Sequence, residues 1–385
     1  MKILYHHRTQ SKDGQYVHIE EMIGALRELG HEVIVVAPPS LGKNDFGSDG
    51  GWVAWLKRHL PKWFYEVLEL GYSIVAYRSL DKAVKQHKPD CLYERYNLFL
   101  LSGVWLKRKY KLPMLLEVNA PNFEERARYD GLSLKKLARW SQAYVWKAAD
   151  FVLPVTKVLA DIVESYGVDP KRIVVIPNGI NDSKFGDAPD TRTAKERLGL
   201  QDYLVLGFTG FVRDWHGLDK VIDMIAQDPP ETRRHLLVVG DGPERAKLEA
   251  QAAALHIRER VTFTGLVGRD DVARHVAAFD IALQPAAVPY ASPLKLFEYL
   301  ALGKAIIGPA QPNLVEILID KHNALLFDPE HPDGMLAAIR RLSGDPELRQ
   351  DIGENARKTI EEKGLTWRQH AFNIVGLFSK ISRPA

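Results

Sequence analysis

Cysteine is almost missing from this chain. A single residue, Cys91, stands among 385, so no intrachain disulfide can form and nothing points to an oxidising compartment. Long apolar runs are missing too. No stretch approaches the roughly 20 apolar residues that a membrane-spanning helix needs, so any membrane contact is expected to be peripheral. The opening run Met1-Lys2-Ile3-Leu4-Tyr5-His6-His7-Arg8 is far too short for the apolar core of a signal peptide and reads as a first strand. A cytoplasmic protein is expected, with at most peripheral attachment to the inner face of the cell membrane. An excess of one charge is also absent. Fifty-two basic residues (Lys+Arg 52) against 49 acidic ones leave a net charge of +3, too small to argue for nucleic acid. No Gly-x-Gly-x-x-Gly follows a strand with an acid about twenty residues on, which argues against a nicotinamide oxidoreductase. No internal repeat or low-complexity tract is evident.

What is present is ordinary globular material, 46% hydrophobic and 26% charged, long enough for two or three domains. Short apolar runs alternate with helical patterns: residues 3–5, 33–37, 91–93, 114–118, 151–155 and 173–176. That alternation marks a parallel sheet. Between the first two runs Ile19, Met22, Ile23, Leu26 and Leu29 recur at helical spacing, and Gly30 stops the helix. The pattern restarts with strands at 204–207, 236–239, 261–263, 281–283, 305–307 and 324–327. The turn-rich segment from Pro177 to Asp182 places the main boundary near Pro177. The expected fold is α/β, two Rossmann-like doubly wound parallel-sheet domains facing a central cleft, over residues 1–177 and 178–365. Such sheets bind ligands at the carboxyl ends of their strands.

The most informative segment runs from Tyr290 to Ile307. Ser292 suits an N-cap, Pro293 the first helical position, and Gly303 the stop before a buried strand. The free amides of Leu294 and Lys295 can then hold phosphate, and Glu298, a turn further on, can accept bonds from two ribose hydroxyls. A capped core helix with an exposed acid explains the same residues. Directly after the first strand of the second half comes Gly207-Phe208-Thr209-Gly210-Phe211-Val212-Arg213-Asp214-Trp215-His216-Gly217. Its Gly210 lets backbone approach an anion, Arg213 offers a permanent charge for a diphosphate, and His216 a second donor. Arg213 as a plain surface side chain is the alternative. The turn at Gly240 follows the next strand and is usually structural. The exit through Leu266 and Val267 can present backbone atoms to a base edge, or be an ordinary strand end. In the first half, Gly14 precedes the first helix, either at the cleft or as a turn glycine. Glu117 and Asn119 alternate on one side of a strand end, where Asn119 can bond a reacting sugar. A satisfied buried Glu and a turn Asn are the plainer reading.

These residues resemble the glycosyltransferases of family 4, which have the GT-B fold. The similarity covers nearly the whole chain. It is strongest from Ala148-Ala149-Asp150 through Pro177-Asn178-Gly179-Ile180, at Gly240-Asp241-Gly242-Pro243, and along the 292–303 helix with its following strand. The resemblance implies retaining transfer of a sugar from a nucleoside-diphosphate sugar, most often UDP-linked, to a glycan, lipid-linked or small-molecule acceptor in polysaccharide or glycoconjugate synthesis. It implies no metal ion and no further cofactor. In keeping with that, the chain contains no Asp-x-Asp triplet of the kind that clamps a metal-bound diphosphate. Arg213 would stabilise the leaving group, beside the Leu294 and Lys295 amides.

The chain departs from the family pattern at three places. Members often carry a Glu, normally in contact with the donor sugar, eight positions before the ribose-binding acid, where this chain has Tyr290. They usually place an Arg just after the glycine and a Lys just before the second one, where this chain has Phe211 and His216. Many carry a histidine on the acceptor side, where Asn119 stands. Without a protein base there, the leaving phosphate oxygen itself would take the acceptor's proton. A non-hydrolysing UDP-sugar 2-epimerase and a binding-only descendant of the fold are the competing readings.

Two amphipathic stretches complete the reading. Apolar positions between 52 and 68, including Trp52, Trp55, Trp63 and Phe64, follow helical spacing with basic residues between them. They suit an anionic membrane surface that presents a lipid-linked acceptor. A broken helical pair packing its aromatic stripe on the first domain is the favoured alternative. The segment 366–385 reads as a helix that completes the first domain physically, or else packs on the second.

Overall fold

The computed structural model describes residues 1–9, 14–38, 60–229 and 231–381. It divides into two compact units, one formed by Met1–Asn178, Tyr290–Ser292 and Trp367–Ala385, the other by Gly179–Pro289 and Pro293–Thr366.

The first unit holds a five-stranded sheet in the order β2-β1-β3-β4-β5, built from Lys2–His6 (β1), Glu32–Val36 (β2), Cys91–Arg95 (β3), Met114–Val118 (β4) and Phe151–Pro154 (β5). Every neighbouring pair is parallel. The residues of β3 and β4 are buried throughout, as a sheet covered by helices on both faces requires. Residues 173–176, expected as a sixth strand, lie extended beside β5, the Val174 amide donating to Val152 O at 3.0 Å and the Ile176 amide to Pro154 O at 2.9 Å, but make only one bridge there, between Val152 and Ile173. Their partner β5 already ends at Pro154, and Pro177 has no N–H to extend a ladder. The C-terminal helix Trp367–Lys380 packs on the first helix, Gly14–Glu28, within this unit. Trp367 lies edge-on to His18 there, with ring centroids 4.7 Å apart.

The second unit holds a six-stranded parallel sheet in the order β11-β10-β9-β6-β7-β8. Its strands are Leu204–Thr209 (β6), Arg234–Val239 (β7), Val261–Phe263 (β8), Ile281–Leu283 (β9), Ala305–Pro309 (β10) and Leu325–Phe327 (β11). Side-chain alternation sorts them onto two cores. Leu206, Phe208, Leu236, Val238, Ile281, Leu283 and Ile307 face one. Val205, Leu237, Val239, Ala282 and Ile306 face the other. Counted from its first strand the order is 3-2-1-4-5-6, so the connection reverses direction between β6 and β9. In such sheets the crevice outside the carboxyl ends of the strands at that reversal is where ligands bind. The end of β6 and the loop and helix following β9 therefore frame this unit's site.

The helix Lys62–His87 departs from expectation. Residues 52–59 lie outside those described, but Trp63, Phe64, Val67, Leu68, Ile74 and Val75 are all exposed. Their spacing gathers them on one helical face. The face turned inward instead carries Glu66 and Ser73 beside Ala76, Leu80, Ala83 and Val84. Glu66 stays buried because its carboxylate accepts the amides of Ser133 and Leu134. The reading that this aromatic stripe packs on the domain is thus corrected for Trp63 and Phe64.

Candidate active site

At the end of β6 the chain turns through Gly210 with φ 124°, a conformation that favours glycine. Two loops meet there, backbone to backbone. The Gly210 amide donates to Val239 O and the Val212 amide to Asp241 O, both at 2.9 Å. A Cβ on Gly240 would fall 2.1 Å from Gly210 O, and one on Gly242 2.2 Å from Val212 O. Gly240 therefore shapes the loop that carries the site.

The helix Leu294–Ala301 is tied to the same strand end, since Tyr299 accepts the Thr209 amide at its hydroxyl, 2.8 Å away. Burial raises the Tyr299 pKa, which keeps the phenol neutral. The helix begins after Pro293, its N-cap, with no side-chain cap. First-turn amides have no intrahelical acceptor, so the amides of Leu294 and Lys295 suit an anion. Ser292, expected as the N-cap, is not one. Its hydroxyl accepts the Asn178 amide at 3.1 Å and its carbonyl accepts Asn178 Nδ2, because Pro293 with extended ψ 123° separates it from the helix. Glu298 is half-buried, one turn in.

Charge gathers beside Gly210. The Lys295 ammonium lies 3.9 Å from the Phe208 ring centroid, and a Cβ on Gly210 would come within 3.5 Å of it. Burial pushes the Lys295 pKa down to about 7, against the pull of Glu298. His216 is buried and its Nδ1 accepts the Arg213 amide at 3.0 Å. Burial, with Lys295 and Arg213 nearby, pushes its pKa down to about 3. His216 is therefore a neutral imidazole whose proton sits on Nε2, a donor without charge. Arg213 is exposed, its guanidinium 5.0 Å from the Phe211 ring centroid. Leu266 is exposed after β8, whereas Val267 packs on the unit's core. The structure thus brings Gly210, Arg213, His216 and Lys295 together.

Tyr290 is placed elsewhere. Its carbonyl accepts Thr156 Oγ1 at 2.9 Å and its ring packs on the first unit's core. Burial and the neighbouring Glu125 raise the pKa of its hydroxyl. The ring is half-buried there, so packing on the first unit is the role this arrangement shows for it.

In the first unit the strand order reverses between β1 and β3. The ends of those strands carry a buried polar cluster that the sequence reading missed. His6 Nδ1 lies 2.5 Å from Glu94 Oε2, and His7 is pushed down to about 4 by burial, His6 and Arg95. Glu117 is buried and committed. Tyr93 donates to it at 2.8 Å, Arg95 and Asn119 Nδ2 donate to its Oε1, and His18 Nε2 lies 3.0 Å from Oε2. Burial alone would raise its pKa, but His18, Arg95 and these bonds outweigh it and hold the carboxyl well below the usual range. Both carboxylate oxygens of Glu117 are thus engaged within the protein, an arrangement that suits positioning Asn119 rather than proton transfer. His18 is not spare either, because its Nδ1 lies 2.6 Å from Asn178 Oδ1. Gly14, expected just before the first helix, is its first residue. Among the described residues no group of three His, Cys, Asp or Glu is arranged to hold a metal ion.

Comparison with known proteins follows the same division. A model described as Glycosyltransferase Family 4 matches residues 12–184, and one described as Glycosyl transferases group 1 matches residues 190–359. The chain is 25% identical over 320 residues to the alpha-monoglucosyldiacylglycerol synthase of Streptococcus pneumoniae, covering 79% of this chain and 71% of that one. It is 26% identical over 302 residues to the D-inositol 3-phosphate glycosyltransferase of Streptomyces bingchenggensis, covering 75% of this chain and 63% of that one. It thus spans about two thirds of the length of these curated relatives. The crystal structure of Anabaena HepE in complex with UDP matches with a TM-score of 0.74 and 19% identity, over 99% of this chain and 100% of that one. With two parallel-sheet units of the GT-B fold and a family match running along most of its length, the chain belongs to the family 4 glycosyltransferases.

Proposed function

We propose that the chain transfers a sugar, with retention, from a UDP-sugar held by the second unit to a lipid-linked or glycan acceptor recognised by the first, in glycoconjugate or polysaccharide synthesis. The observation that carries the donor site is the convergence of Arg213, the His216 Nε2–H, Lys295 and an uncapped helix start on the glycine turn at the β6 end. Such a constellation matches a diphosphate: two basic side chains, one neutral donor, and amides that require no reorganisation. Negative charge on the departing diphosphate is met by side chains, so no metal ion is needed. Glu298 takes the ribose hydroxyls. The alpha-monoglucosyldiacylglycerol synthase and the UDP complex of HepE, as named, support a lipid-linked acceptor and a uridine donor.

The acceptor side contains no free base at Glu117, so the acceptor's proton passes to the departing phosphate oxygen. The exposed apolar stripe from Trp63 to Val75, followed along the helix by exposed Arg78, Lys82 and Lys85, suits an anionic membrane surface. The protein is then cytoplasmic and attached to the inner face of the membrane. Incubation with UDP-glucose and diacylglycerol vesicles tests the reading. Release of UDP together with an α-linked glycolipid, identified by NMR, is expected. Appearance of a 2-epimer from donor alone, or donor binding with no transfer to any of a panel of acceptors, would overturn it.

A further inference from the structure

We infer that the ammonium of Lys295, reaching across Gly210 from the first turn of the helix Leu294–Ala301, is a second cation that, with Arg213, carries the leaving diphosphate's charge in this chain. The inference rests on the donor reading above and names the group that performs its central step. Lys295 and His216 flank the same ring. The ammonium lies 3.9 Å from the Phe208 centroid, and the His216 and Phe208 centroids are 4.7 Å apart. Position 216 therefore holds an uncharged donor beside a lysine that arrives from another element. Position 211, the other place where a cation was expected, carries the exposed Phe211.

The surroundings of the ammonium are unusual for a structural lysine. Its neighbours are a ring face, the bare Cα of Gly210 and the Glu298 carboxylate. Among the described residues it donates no hydrogen bond to a protein acceptor. A half-buried cation with so few polar neighbours is unfavourable for folding and is compensated by an anionic ligand. A Cβ at Gly210 would lie in ordinary contact with the ammonium, 3.5 Å away, so the glycine is required there by its φ of 124° and the lysine lies directly over the turn. Beside it, the Thr209 hydroxyl is buried and has no protein partner.

The step balances without another reactant. The bond between the sugar C1 and the diphosphate oxygen breaks, and its electron pair stays on that oxygen. A bond forms from the acceptor oxygen to C1, and the acceptor's proton passes to the diphosphate. Lys295 stabilises the negative charge while it accumulates. Because burial leaves Lys295 titrating near 7, its amine is largely uncharged at pH 8, and the incoming diphosphate draws a proton onto it.

Calorimetric titration of UDP into the protein at pH 8, in HEPES and in Tris, reads that proton directly, since the two buffers differ in ionisation enthalpy. The wild type should take up close to one proton per UDP. Lys295→Met should take up none, bind UDP about tenfold or more weakly, and lose on the order of 10²-fold in kcat at saturating donor. Lys295→Arg should retain most of the affinity without proton uptake. Circular dichroism and a melting temperature at or above the wild type's show that the methionine variant is folded. If wild type binds UDP and the methionine variant matches it in affinity, proton uptake and kcat, the Lys295 assignment falls while the donor reading stands. If wild type binds none of UDP, GDP or ADP, the donor reading falls and this inference with it.

Discussion

His216 Nδ1 accepts the amide hydrogen of Arg213 at 3.0 Å, and that one bond assigns the imidazole its tautomer and its task. The loop 213–216 is locked in a short 3-10 turn, Nε2–H is left as the donor, and the Arg213 side chain lies exposed with its guanidinium over the Phe211 ring. Arg213→Ala should therefore leave the loop folded and lower the transfer rate at saturating donor by about 10²- to 10³-fold. Steady-state kinetics with UDP-glucose check this, and an unchanged kcat would remove Arg213 from the leaving-group role.

Acid should destabilise the protein before the carboxylates titrate. His7, His235 and His370 are pushed to about 4 and His216 to about 3, chiefly by burial. Their folded pKa values lie below the unfolded value near 6.5, so the folded state binds fewer protons between those limits. The stabilisation is full above pH 6.5 and is lost as pH falls toward 3 to 4. Melting temperatures measured from pH 8 to pH 4.5 should fall from about pH 6.5 downward, and His235→Gln should flatten the slope.

The loop pairing at the site gives a sharp test of its architecture. Gly240→Ala places a methyl 2.1 Å from Gly210 O at a residue whose φ is 141°. Backbone strain of about 1–3 kcal/mol adds to the clash. The variant should melt several degrees lower and lose UDP affinity together, since the displaced backbone is Gly210's own.

Glu117→Gln leaves Arg95 buried without its carboxylate, which typically costs about 3–5 kcal/mol. A large fall in melting temperature is expected. A variant with normal stability but no activity would restore Glu117 to a chemical role.

Trp63 and Phe64 are exposed, so replacing both by Ser should leave the melting temperature unchanged. Flotation with anionic liposomes at low salt should be lost in this variant and retained by wild type.

Much of this fold was legible because parallel strands are buried on both faces and read as short apolar runs. Met114–Val118 and Val261–Phe263 were placed to the residue. Residues 173–176 show the limit, because their amides do bond to Val152 O and Pro154 O, yet the pairing stops where β5 and Pro177 end it and amounts to one bridge rather than a strand. At the site, glycine and arginine positions were legible from loop chemistry. The roles of Ser292, Tyr290 and Lys295 were not, because each depends on a partner distant in sequence: Asn178 for the serine, Thr156 for the tyrosine carbonyl, Phe208 and Gly210 for the lysine. His6 and His7 carried a readable signal, two histidines at the end of the first strand. Glu94, the partner that buries the first of them, is far along the chain.

The claim that the β6 turn and the Leu294–Ala301 helix hold a nucleoside diphosphate is tested most directly by thermal shift against UDP, GDP and ADP. A ligand at 100 times its Kd that binds only the folded protein adds about 2.7 kcal/mol of stability. The account predicts that UDP raises the melting temperature of wild type by several degrees and that Arg213→Ala with Lys295→Met abolishes the rise. No rise with any of the three nucleotides, or an equal rise in the double variant, would contradict it.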